Sequence, residues 1–75
     1  MELFERWEEI VGARMAQKTK PLKLTPEGVL LISVADASWN HHLRFMEGQI
    51  LQKIRNTLKR EDVKALKFFV GRSSS

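Results

Sequence analysis

The 75-residue chain carries thirteen Lys and Arg against nine Asp and Glu, a formal net charge of +4, with two His and no Cys. A chain this short forms one domain that buries only about 60% of its unfolded surface, so the core is thin and each large apolar residue counts. The absence of cysteine excludes disulfides and thiolate zinc sites and fits a reducing interior.

Residues 2–17 predict a first helix. Leu3, Trp7, Ile10, Val11 and Met15 fall on one face, and Glu2, Glu5, Glu8 and Glu9 suit the positive N-terminal end of a helix. Gly12 interrupts the helix propensity at a cost of about 1 kcal/mol against alanine, for which close approach of another element is the expected compensation. Lys18-Thr19-Lys20-Pro21 should end the helix and form a connector, because proline disfavours helical geometry in the residue before it and cannot donate to the ladder.

A short strand holding Leu22 and Leu24 follows, then Thr25-Pro26-Glu27-Gly28, a turn with glycine where positive φ is easiest. The next run, residues 29–35, is apolar on both parities, as expected of a central strand with both faces at least partly covered. Asp36 or Ser38 is placed to cap a long helix from Ser38 to about Arg60. There Trp39, Leu43, Met46, Ile50, Ile54 and Leu58 form one apolar stripe, with His41, Phe45, Gln49, Gln52, Asn56 and Lys59 opposite. Charged residues at every turn rule out a membrane span. Glu61-Asp62 is the only connector before a last strand, residues 63–70, with Leu66, Phe68 and Val70 on one face and Val63, Ala65, Lys67 and Phe69 on the other.

A strand-helix-strand crossover is nearly always right-handed and places its strands parallel. The fold class is therefore α+β: a two-layer α-β-β-α-β domain over residues 1–71, with a three-stranded mixed sheet and two helices on one face. Residues 72–75 read as a disordered tail.

The charge is uneven. Residues 1–9 hold one basic and four acidic side chains, and residues 10–75 hold twelve basic against five acidic, a surplus of seven. Such a surplus suggests a polyanion such as nucleic acid, with solubility as the alternative. The basic residues form two groups, Arg14, Lys18, Lys20 and Lys23 early in the chain and Arg44, Arg55, Lys59, Lys64 and Lys67 later. Of these, Arg14, Lys18, Lys20, Lys23, Arg55 and Lys59 are the candidate phosphate contacts. No nucleophile, base and orienting acid converge, and no glycine-rich phosphate motif is present, so neither catalysis nor a cofactor is expected. His41 and His42 are adjacent and point about 100° apart on a helix, so no metal site is expected. Trp7 and Trp39 lie on apolar stripes and read as core anchors rather than base-stacking platforms. Phe45 and His41 lie off the stripe, and Phe69 would extend an apolar patch with Val29 and Leu31; these three are the candidate partner contacts. No signal peptide is apparent, and the expected compartment is the cytoplasm.

Trp7-x-x-Ile10-Val11-Gly12, then Pro21, then Gly28-Val29-Leu30-x-Ile32-x-Val34, then Trp39-x-x-x-Leu43 and a closing Val63 to Phe68, together resemble the DciA family of bacterial replicative-helicase loaders. The resemblance covers nearly the whole chain. It implies a KH-like fold, association with the replicative helicase DnaB, and DNA binding, usually aided by a disordered extension. The matched Trp7, Gly12, Gly28, Trp39 and Leu43 look architectural. The chain departs from true KH modules in lacking their G-x-x-G nucleotide clamp, so contacts would be electrostatic. It also lacks the cysteines of zinc-ribbon relatives and stops at Ser75, so nothing lodged in an extension is expected of it. An RNA-binding KH-like module and a pure protein adaptor are the alternative readings.

Overall fold

The computed structural model describes residues 2–71. The tail expected at 72–75 lies outside them. The helices and strands run α1 (Glu2–Glu5), α2 (Trp7–Val11), α3 (Ala13–Lys18), β1 (Thr19–Leu24), β2 (Val29–Val34), α4 (Ala37–Phe45), α5 (Glu47–Leu58) and β3 (Ala65–Val70). The sheet order is β1-β2-β3, antiparallel between β1 and β2 and parallel between β2 and β3. This is the expected α+β arrangement with β2 in the centre. One face of β2, Leu30, Ile32 and Val34, is buried against Leu3, Trp7, Ile10, Leu43, Ile50 and Ile54 of the helices. Val29, Leu31 and Ser33, on the other parity, are only half-buried.

Each expected helix is broken. The first is three segments: Arg6 leaves helical geometry at φ −107°, ψ 21°, and Gly12 sits at φ 93°, ψ 157°. At Gly12 nothing lies within 4 Å of where a Cβ would stand. Close approach is therefore not its role; the positive φ is, since only glycine adopts it without steric cost. The second helix breaks at Met46 (φ −100°, ψ 7°), whose N–H donates to the Leu43 carbonyl at 2.9 Å in a tightened turn. The stripe survives the break: Leu43, Ile50, Ile54 and Leu58 are buried, and Trp39 and Met46 are half-buried against the core. Trp39 is thus a rim residue rather than a central anchor. Asp36 is the cap, accepting from the Trp39 N–H at 2.9 Å. α5 ends at Leu58, with Lys59 left-handed at φ 57°, earlier than the expected Arg60.

Strand limits also shift. β1 begins at Thr19, so Lys20 and Pro21 belong to the sheet and not to a connector; proline is tolerated because β1 is an edge strand. β2 stops at Val34, one residue short of the expected Ala35. The second crossover connector is residues 59–64, and Val63, fully buried, belongs to it and not to β3. Gly28 closes the hairpin turn as expected, at φ 91°, donating to the Thr25 carbonyl at 2.9 Å. Its carbonyl accepts from the Lys64 N–H at 2.7 Å, and a Cβ there would stand 2.7 Å from the Asp62 carbonyl oxygen. Gly28 therefore locks the hairpin against the returning crossover.

Candidate nucleic-acid and partner surfaces

The open face of the sheet is built by strand alternation plus one irregularity. Lys20 pairs with Ser33 and Lys23 with Leu31, and the register slips between Pro21 and Lys23. Strict alternation would send Lys20 and Lys23, three residues apart, to opposite faces. The extra residue, Leu22, resets the parity and brings both lysines to one face. On β3, Lys67 pairs with Leu31 and Phe69 with Ser33, so they join the same face, away from the helices. Its rows read Lys20–Ser33–Phe69, Lys23–Leu31–Lys67 and Val29–Ala65. Phe69 is 40% exposed, the lysines are exposed, and among the described residues no carboxylate lies on these rows.

Arg14 and Lys18 are exposed, one turn apart on α3, and therefore neighbours. Lys18 and Lys20 share a shallow cleft at the end of the sheet with Ser33, Ala35 and Gly71, and the Lys18 carbonyl accepts from the Ala35 N–H at 2.8 Å. Arg14, Lys18, Lys20 and Lys23 thus follow the β1 side of the domain. Arg55 and Lys59 are exposed and also one turn apart, but they belong to α5 and its cap in the helix layer. The six candidate phosphate contacts therefore form two groups, Arg14 and Lys18 on α3 with Lys20 and Lys23 on β1, and Arg55 and Lys59 on α5 and its cap. Lys67, outside that set, joins Lys20 and Lys23 on the open face of the sheet, as its shared parity with Phe69 could have indicated.

The three candidate partner contacts divide as well. His41 and Phe45 meet edge to face, ring centroids 5.1 Å apart, with Phe45 78% exposed on the helix layer. Phe69 lies across the sheet from them. The helix-layer pair is a small aromatic protrusion; Phe69 belongs to the lysine-bearing face with Val29 and Leu31.

Two hydrogen-bonded links escaped sequence reasoning. The buried Trp7 indole N–H donates to Thr19 Oγ1 at 2.9 Å, and that hydroxyl donates to the Met15 carbonyl at 2.8 Å. This relay ties α2, α3 and β1 at one point, and Thr19 is a buried polar residue. Glu47 Oε2 accepts from the Leu66 N–H at 3.0 Å, satisfying a donor of edge strand β3 that the sheet does not pair. Elsewhere, Arg6 donates to Glu9 at 2.8 Å and Arg60 to Asp62 at 2.7 Å. These guanidinium hydrogen bonds hold both carboxyls below their ordinary pKa. Among the described residues, no group of three or more His, Cys, Asp or Glu is placed to hold a metal. No helix there is long and apolar enough to cross a membrane.

A sequence profile for the family described as "Dna[CI] antecedent, DciA" matches residues 1–68. Among curated proteins, the chain is similar to a UPF0232 protein of Mycobacterium ulcerans, 36% identical over 62 residues, covering 83% of this chain and 33% of the relative. It is similar to a UPF0232 protein of Corynebacterium glutamicum, 35% identical over 63 residues, covering 84% of this chain and 35% of the relative. A UPF0232 protein of Mycobacterium tuberculosis is 32% identical over 62 residues, covering 83% of this chain and 33% of the relative. The chain thus spans about a third of the length of these relatives.

Proposed function

The chain belongs to the DciA family, and on that premise we propose that it is a noncatalytic accessory of DNA replication that binds DNA and the replicative helicase, DnaB, and helps to load or recruit it. The observation that carries this reading is the family match over residues 1–68. The surface chemistry supports its two halves. Arg14, Lys18, Lys20 and Lys23 line the β1 side with exposed positive charge, suited to phosphate contacts whose strength falls with salt. The exposed Phe45 and its partner His41 stand on the helix layer, where an aromatic protrusion suits a protein contact. Separating the two functions, one on α3 and β1 and the other on α4, lets one small domain hold DNA and helicase together. Such work needs no metal or cofactor, and its site is the cytoplasm, where the chromosome is copied.

The experiment pairs two measurements. Fluorescence anisotropy with single-stranded DNA, duplex DNA and RNA at two salt concentrations should show DNA binding that weakens steeply as salt rises. A pull-down with the purified helicase should retain the chain. Tighter binding to RNA than to DNA would replace this reading with an RNA-binding module. Helicase retention with no nucleic-acid binding would leave a protein adaptor.

A further inference from the structure

Resting on the DNA-binding reading above, we propose that the open face of the sheet is a platform for single-stranded DNA, on which Phe69 stacks an unpaired base while Lys20, Lys23 and Lys67 hold the flanking phosphates. The ligand class follows from what the face offers and what it lacks. Neighbouring strands lie about 4.8 Å apart, so Lys23 and Lys67, on either side of Leu31, are separated by about twice that distance. Lys20 faces Phe69 across Ser33 in the same way. Lys67 lies two residues from Phe69 along β3, about 6.6 Å at the rise of a strand. One exposed aromatic ring therefore has a cation beside it along its strand and another across the sheet, over an apolar floor of Leu31 and Val29. Among the described residues, no carboxylate lies on the paired rows of the face; Glu47 reaches the β3 edge beside Lys67, where its Oε2 accepts from the Leu66 N–H.

Single strands use this combination: a positively charged track and an aromatic ring on which any base can stack. A duplex hides the faces of its bases, and reading its major groove takes an inserted helix or ribbon, whereas this surface is the broad face of a three-stranded sheet. An acidic peptide would satisfy the lysines but leave the exposed ring without a specific role. The helix-layer cations Arg55 and Lys59 lie outside the platform.

Anisotropy of the full chain should be measured with a short oligothymidylate, an abasic oligomer of equal length that offers phosphates without bases, and polyglutamate. The chain should prefer oligothymidylate over the abasic oligomer by about 5- to 140-fold, the fold-change equivalent of about 1–3 kcal/mol of stacking per base at 1.4 kcal/mol per factor of ten. Phe69→Leu should erase that preference and leave abasic binding unchanged. Phe69→Trp, which keeps a stacking surface, should retain it. Lys67→Glu should weaken both nucleic-acid ligands and lower the salt slope by about 0.7, the share of one single-strand phosphate. Thermal melts of each variant separate loss of binding from loss of fold.

A preference that persists in Phe69→Leu overturns the stacking role. If Arg55→Glu with Lys59→Glu abolishes DNA binding while Lys67→Glu leaves it intact, the platform is wrong but the DNA-binding reading stands. Polyglutamate bound as tightly as oligothymidylate assigns the face to an acidic protein, and no DNA binding at low salt removes both readings.

Discussion

Replacing Thr19 with valine keeps its shape and deletes one hydroxyl, and the structure places that hydroxyl between two groups that need it. It accepts from the Trp7 indole at 2.9 Å and donates to the Met15 carbonyl at 2.8 Å. Trp7 is 5% exposed and Thr19 8%, so water cannot readily take the place of the missing acceptor. A buried donor left unsatisfied costs about 1–3 kcal/mol. A domain of this size holds about 4–11 kcal/mol in all, at about 0.05–0.15 kcal/mol per residue. Thr19→Val should therefore lower the melting temperature by about 4–8 °C for each kcal/mol of destabilisation, while Thr19→Ser, which keeps the hydroxyl, should cost less. The stronger test is a double-mutant cycle. Once Trp7→Phe has removed the indole N–H, Thr19→Val no longer strands it, so the double mutant should be more stable than the sum of the single effects. Urea titrations followed by far-ultraviolet circular dichroism measure all four proteins. Additive effects, or a Thr19→Val variant as stable as the parent, would refute the relay as a stabilising interaction.

Trp39→Ala should cost less than the full 3–5 kcal/mol of a buried tryptophan, because Trp39 is half-buried at the core rim; a cooperative melt displaced by only part of that range checks it, and complete unfolding would contradict it. Phe45→Ala should melt like the parent and reduce helicase retention in a pull-down; unchanged retention removes Phe45 from the partner face. Asp62 has a folded-state pKa below its ordinary value, first through its hydrogen bond with Arg60. Its contribution is therefore present above the ordinary carboxylate range and disappears as pH falls through the lowered value. Asp62→Asn should flatten that part of the stability-against-pH curve, and superimposable curves would show that the pair contributes nothing.

Much of the frame is legible in the sequence. The three- and four-residue spacing from Trp39 to Leu58, the Thr25-to-Gly28 turn and the two-sided apolar run of β2 each carry a local signal strong enough to survive packing. The helix breaks at Arg6 and Met46 carry none. Met46 is an ordinary helix residue, and the chain turns there because α5 must leave α4 to reach α2 while Glu47 reaches the β3 edge, a tertiary demand. At Gly12 the residue type is visible, but its meaning lies in a backbone angle. Thr19 stands in what reads as a connector, and only the approach of Trp7, twelve residues away, makes its hydroxyl structural. On the surface, alternation puts Lys67 beside Phe69, whereas the shared face of Lys20 and Lys23 depends on the bulge at Leu22. The separation of Arg55 and Lys59 from the β1 group depends on which layer α5 occupies, a consequence of the whole fold.

If the basic surplus is a DNA surface on the β1 side of the domain, charge reversal read against salt tests it most directly. Lys18 and Lys20 are both exposed, so Lys18→Glu with Lys20→Glu should preserve the fold even though Lys20 lies in a strand. That pair should weaken DNA binding across sequences and flatten the dependence of log K on log salt, by about 0.7 for each single-strand phosphate no longer neutralised and about 0.9 for each duplex phosphate. Arg55→Glu with Lys59→Glu, in the helix layer, should leave both affinity and slope near those of the parent. If neither pair changes DNA affinity at low salt, the positive charge serves solubility and the chain is a protein adaptor.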